Sequence, residues 1–250
     1  MPPNSVRRAR LVIVRSARRE DMQERDTYEQ PTDEAVALAA ARGLGQWQRT
    51  FRMKQSRMFG KHNASRLYIH ANGAVVTGPE GFRAAYDWET VRVLRYMSTR
   101  NGVPWDARYT LLDPQGAAVN IGPGTRVFFK EEKQSLGITS VVQGALFLWP
   151  DVWGEHIMQA VTRTQLPKVL DAIARGETVD FGAYKVDRQG LAGRKHSAPW
   201  SDITTISSFS GTLIFNGSRK RTTVDSADLQ SIANVDLFLR LCQRFKADGT

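Results

Sequence analysis

Apolar and polar residues alternate with period two in one clear stretch of this chain, short β-like runs between turn signals recur along it, and the period lengthens to that of a helix in three places. In Gln46–Lys54 the odd positions Trp47, Phe51 and Met53 are apolar, Arg49 being the exception, and the even ones are polar. That alternation predicts a half-buried strand. Arg66–His70 and Ala74–Thr77 read as two more strands, joined at Asn72-Gly73, where both residues tolerate positive φ. Strands follow at Thr90–Met97, Ala107–Leu112 and Ala117–Ile121, the last two linked by the turn Asp113–Gly116, in which Pro114 presets φ. Arg126–Lys130 is β-like, and Leu136–Leu148 is open between helix and strand. In the second half, strands are expected at Val179–Phe181, Ala183–Asp187, Leu191–His196, Ile203–Ser208, Thr212–Phe215 and Arg219–Val224.

The helical stretches carry end signals. Thr32 or Asp33 caps Glu34–Arg42, which Gly43 closes. Asp151 opens a helix with Trp153, Ile157 and Val161 on one face. Pro167 is expected to interrupt it and to start a second segment, Lys168–Arg175, stopped by Gly176. Asn234 is the expected cap of Val235–Lys246. Strands then a helix, stated twice, suggests an internal duplication. Setting Gly73 on Gly190 places Ile69 on Val186; with a five-residue deletion Trp88 falls on Trp200 and Val91 on Ile203. Hairpins and a Trp at a strand start also recur in unrelated antiparallel sheets.

Composition supports a folded chain: 250 residues, 41% hydrophobic and 24% charged. The net charge of +10 is unevenly spread. Six arginines against Glu20 and Asp21 in residues 1–21 account for +4 of it, and Met22 offers an alternative start that would remove them. No Asp or Glu occurs from Ala35 through Pro79, a stretch holding Arg42, Arg49, Arg52, Lys54, Arg57, Lys61 and Arg66, so a local positive field is expected there. Leu11–Val14 is too short for a signal-peptide core, and Val141–Trp149 too short for a membrane span. The expected location is cytoplasmic, with membrane association open. The single Cys242 falls on an apolar helix face and reads as an inert thiol.

The phrases Tyr86-Asp-Trp-Glu-Thr-Val91 and Ala198-Pro-Trp-Ser-Asp-Ile203 look like the segment after the first hairpin of bacterial pleckstrin-homology-like (PH-like) domains. Together with "RYTLLDPQG", "LPKVLDAIARGETVDFG" and "PWSDI", they make the chain resemble an uncharacterised bacterial family of tandem PH-like proteins, a domain of unknown function, over roughly Gly45 to Phe245. The resemblance implies a mainly β fold with capping helices (α+β): two tandem PH-like antiparallel barrels, each closed by a C-terminal helix. On that reading residues 1–43 are a flexible basic tail and short helix. Residues 44–176 are the first PH-like domain, with the long Pro-interrupted helix, and 177–250 the smaller second one. Members of such a family often carry an apolar membrane segment, and none is visible in this sequence. No catalytic residue is implied.

Chemistry finds little purchase. His62, His70, His156 and His196 are scattered without metal-ligand spacing. Gly43-Leu-Gly45 and Gly122-Pro-Gly124 lack the spacing and lysine of a P-loop. Asp87 and Glu89 flank Trp88 as paired carboxylates that can serve as acid and base, or simply solvate a strand face. No catalytic residue, cofactor or metal is expected, and the modules that read nucleic acid are missing. The expected function is a non-enzymatic adaptor that binds a protein or peptide through a sheet edge or the groove beside the last helix. The first alternative is peripheral binding to anionic lipid through a basic loop carrying Arg52, Lys54, Arg57, Phe59 and Lys61. There Phe59 either inserts or folds back on the core. Arg219-Lys-Arg221 is a smaller basic tip. The second alternative is a small-molecule enzyme with an inter-domain site. The sequence leaves the oligomeric state open.

Overall fold

The structure, a computed structural model, describes residues 28–53, 60–100, 103–122, 127–194, 196–209, 211–217 and 223–248. The chain divides into two compact units, Met1–Ala85 with Phe147–Trp149, and Tyr86–Leu146 with Pro150–Thr250.

In the first unit, Thr32 opens helix α1 (Asp33–Ala41): its hydroxyl accepts from the Ala35 N–H at 3.4 Å, and Asp33 and Glu34 complement the dipole of the first turn. Gly43, at φ 64°, ends the helix as the glycine predicts. Ala35, Ala39 and Leu44 are buried against Tyr68 and Val75. Strands β1 (Trp47–Arg52), β2 (Arg66–His70), β3 (Gly73–Thr77) and β4 (Arg83–Asp87) make one sheet in that order, with β1–β2 and β2–β3 antiparallel. A bulge lies between Trp47 and Arg49, and in the regular register beyond it Thr50 and Phe51 point to opposite faces yet are both buried. Thr50 tolerates this because its hydroxyl donates to the Glu29 carbonyl at 2.6 Å and accepts from Trp47 Nε1 at 3.0 Å. Beyond β1, Met53 bridges Phe147.

The second unit contains the sheet β5-β6-β7-β8: β5 (Arg92–Arg100), β6 (Val103–Leu112), β7 (Ala117–Ile121) and β8 (Ser140–Gln143). The first three form the expected meander. β8 settles the open segment Leu136–Leu148 and pairs parallel to β7, a departure from purely antiparallel sheets. The expected strand Arg126–Lys130 is not one. Arg126 lies outside the described residues, Val127–Phe129 is not in a strand among the described residues, and Lys130 begins helix α2 (Lys130–Leu136). Glu131 and Glu132 suit its N-terminal turn, Gly137 at φ 65° closes it, and the Arg92 guanidinium donates to the Leu136 carbonyl at its end.

Helix α3 runs unbroken from Pro150 to Ala174, with Pro167 inside it, correcting the expected break. Packing on both sides explains the continuity: Trp153, Ile157, Met158 and Val161 are buried before the proline and Ile173 after it. Gln165 donates to the carbonyls of Trp88 and Val91, both at 2.9 Å.

Two further sheets follow. One is β12-β11-β10-β9, from β9 (Val179–Asp180), β10 (Tyr184–Val186), β11 (Gly190–Gly193) and β12 (Ser197–Pro199). The expected strand Leu191–His196 thus ends at Gly193, and β12 is additional. The other is the antiparallel β13-β14-β15, from β13 (Ile203–Phe209), β14 (Thr212–Gly217) and β15 (Thr223–Asp228). Helix α4 (Val235–Asp248) packs on it: Phe238 lies against Phe181, Tyr184 and Phe215 with ring centroids 5.3–6.1 Å apart, and Phe245 stacks on Trp200 at 5.7 Å.

The fold is therefore α+β, β-rich, with four helices and four open sheets among the described residues; none closes into a barrel. A four-stranded sheet, a three-strand meander and a later helix occur twice along the chain, with α2 and β8 interposed before the helix in the first instance alone among the described residues. Gly73 and Gly190 begin β3 and β11, and buried Ile69 and Val186 lie in β2 and β10. Buried Trp88 and Trp200 follow β4 and β12 directly.

Candidate functional site

Phe128 is buried with Leu94, Leu112 and Leu136, and this local alternation turns its neighbours outward: Val127 is 77% and Phe129 75% exposed. They border an open cleft of about 960 Å³ whose opposite side is β15. Among the described residues β15 has a single strand neighbour, β14, so no described strand pairs with its other edge. Solvent-exposed apolar groups beside an open strand edge are a combination that soluble proteins ordinarily suppress.

Four carboxylates, Glu131, Glu132, Asp225 and Asp228, line the cleft among the described residues, against the guanidiniums of Arg108 and Arg194. Arg108 sits 4.3 Å over the Tyr96 ring, and Arg194 donates to Ser135 Oγ at 3.1 Å. Asp225 is locked in place: it accepts from the Ser226 N–H at 2.9 Å, and a Cβ on Gly193 would fall 1.8 Å from its Oδ2. Burial, with a smaller contribution from Asp225, pushes the Tyr184 phenol well above its usual range. Asp228 accepts from the Thr212 hydroxyl at 3.3 Å and is exposed. The acidic excess in this cleft contrasts with a chain of net charge +10.

The basic loop expected from the sequence is only partly described. Arg52 ends β1, where its carbonyl accepts from the Leu148 N–H at 2.9 Å, and Lys61 is exposed in the 3-10 turn Gly60–His62. Lys54, Arg57 and Phe59 lie outside the described residues, as do residues 1–27 and Arg219-Lys-Arg221. Asp87 and Glu89 do not act as a pair. Asp87 holds the turn after β4, accepting from the Thr90 N–H at 2.8 Å and the Thr90 hydroxyl at 2.7 Å, whereas Glu89 meets Lys168 at 2.7 Å. Beside the last helix, Phe238 and Phe245 pack against Phe181, Tyr184, Phe215 and Trp200. Cys242 is buried, which pushes its thiol up. Among the described residues no three His, Cys, Asp or Glu side chains gather as a metal site, and no helix is long and apolar enough to cross a membrane.

Asn234 is more than a cap. It stands before α4 at φ 50°, and its carbonyl accepts the first helical bond from Phe238 at 3.0 Å. Its carboxamide instead reaches β5, accepting from the Val93 N–H at 2.7 Å and donating to the Val91 carbonyl at 3.2 Å and to Gln165 Oε1 at 2.9 Å. Sequence reading missed the cleft because its two sides, Val127–Glu132 and β15, are distant in the chain. The adjacent Phe128-Phe129 pair was the available signal, since consecutive extended side chains point to opposite faces and a segment covered on one face leaves one of the two exposed.

Residues 138–249 match a family of unknown function (DUF6585), in keeping with the resemblance to a domain of unknown function. The matched segment runs from just before β8 to the end of α4 and includes β15 but not Val127–Glu132. No match was found among curated proteins or among solved structures.

Proposed function

We propose that this protein is a non-enzymatic binding module of tandem PH-like build, and that it takes an extended peptide segment of a partner protein as an added strand on β15. The twice-stated order of four-stranded sheet, three-strand meander and helix supports the PH-like reading. The carrying observation is the open edge of β15 facing exposed Val127 and Phe129 across the cleft. Strand addition supplies affinity through main-chain hydrogen bonds, and the flanking side chains supply choice. The excess of carboxylates selects a segment with a basic residue near an apolar anchor: the anchor packs on Phe129 and Val127, and the basic group meets Glu131, Glu132 or Asp228.

A random-peptide display selection on the full chain tests this. Enriched peptides should combine Lys or Arg with apolar residues. Binding of a chosen peptide should weaken about tenfold in Phe129→Ser and in Glu131→Lys/Glu132→Lys, the losses expected of a central anchor and of charge reversal. It should also weaken with salt. Circular dichroism verifies that the variants stay folded. No enrichment, or equal binding to the variants, would reject the reading.

A further inference from the structure

The opposite edge of the same sheet differs in kind. Among the described residues β13 has one strand partner, β14, and it is exposed along most of its length. From Thr204 to Phe209 it reads Thr-Thr-Ile-Ser-Ser-Phe, with no charge and no proline. Edge strands normally carry a charge, a proline or very short length, because a neutral edge pairs with other chains. The remaining strand edges follow that rule. β1 has Arg49 and Arg52, β4 has Arg83 and Asp87, β5 has Arg92 and Arg95, β9 has Asp180, and β15 has Asp225 and Asp228. β8 is neutral but four residues long, and β12 has three, including Pro199.

We infer that β13 is the self-association edge of this protein, pairing antiparallel with β13 of a second copy about a two-fold axis through Ser207. Under a two-fold every side chain meets its own surface, so a charged edge repels itself and a neutral one does not. The five residues from Thr205 to Phe209 are in unbroken register with β14, the bulge lying between Ile203 and Thr205. Centring the axis on Ser207 lets all five pair at once: Ser207 faces Ser207, Ile206 faces Ser208, and Thr205 faces Phe209 of the other copy. Thr205, Ser207 and Phe209 share the sheet face opposite buried Leu213 and Phe215. Phe209, 77% exposed, then covers the Thr205 methyl of its partner, a favourable aromatic–β-branched pair. Five-residue pairing buries less than the ~800 Å² per partner of a stable interface, so the dimer dissociates on dilution. The acidic edge, β15, stays free in both copies.

Sedimentation velocity of the full chain over a concentration series, with oxidation of a Ser207→Cys variant, tests the inference. The expected results are a monomer–dimer equilibrium and a Ser207→Cys disulfide dimer, because residues facing across an antiparallel pair have Cα atoms about 4.5–5.5 Å apart, within disulfide reach. The native Cys242 is buried and should stay silent. Ser207→Lys, at an exposed position, should abolish the dimer while leaving the circular dichroism unchanged. A monomer at every concentration overturns the inference. So does a dimer that survives Ser207→Lys, or one in which Ser207→Cys fails to cross-link.

Discussion

His70 lies buried in β2 with Nδ1 3.1 Å from the Gly45 carbonyl. A carbonyl only accepts, so Nδ1 carries the proton and Nε2 is bare; Nε2 is buried with no hydrogen-bond partner among the described residues. A second proton there would be a buried charge with no acceptor, and burial accordingly holds the imidazole below its usual pKa. The unfolded chain therefore binds this proton first as pH falls. Stability is fully present above the ordinary histidine pKa of about 6.5 and declines as pH drops toward the folded value. The melting temperature should fall between about pH 7 and pH 5, and less steeply in His70→Gln, which keeps a donor for Gly45 but cannot titrate. Equal slopes would assign the acid sensitivity elsewhere. The sequence places His70 at the end of a strand but does not reveal its Gly45 partner, because a ring's partner is set by a segment that returns from elsewhere.

At the scale of elements, the ends of helices were legible and their interruptions were not. Thr32, Gly43 and Gly176 act locally, through one hydroxyl or one positive φ, and stand where the sequence places them. Pro167 is a local signal overruled by distant contacts: α3 is held by buried side chains on both sides and by Gln165, so it passes through the proline. A proline in a helix interior still forfeits one hydrogen bond and crowds the preceding turn, at about 3 kcal/mol. Pro167 is exposed. Pro167→Ala should therefore stabilise the protein, by up to about 3 kcal/mol in urea unfolding. No gain would mean that the neighbouring contacts require the proline's geometry. Val127–Phe129 failed in the opposite direction: its alternation is real and positions the cleft, but the described segment is not a strand.

For the whole molecule, the second unit draws on both sides of Gly176. Ala233 belongs to the core of Leu94, Leu112 and Leu136, and the Asn234 main chain donates to the Val93 carbonyl at 2.8 Å while its carboxamide takes the Val93 N–H. A fragment of residues 28–176 should consequently expose apolar surface and an unsatisfied stretch of β5. It should bind a hydrophobic dye that the full chain does not, and lose dispersed amide resonances. A well-dispersed, dye-silent fragment would show that these contacts are dispensable. At this scale charge also acquires meaning: +10 over the chain, an acidic excess within the described cleft and a neutral β13 are three different surfaces.

Period-two alternation, turn glycines and capping residues act over a few neighbours, so the sequence alone determined the β-rich α+β class, most strands and the burial of Cys242. The tertiary structure alone decided the parallel pairing of β8, the continuity of α3, the path of the Asn234 carboxamide and the facing of Val127–Glu132 by β15. Each of these joins groups far apart in the chain, and such contacts depend on where the backbone returns rather than on any pattern the neighbouring residues carry.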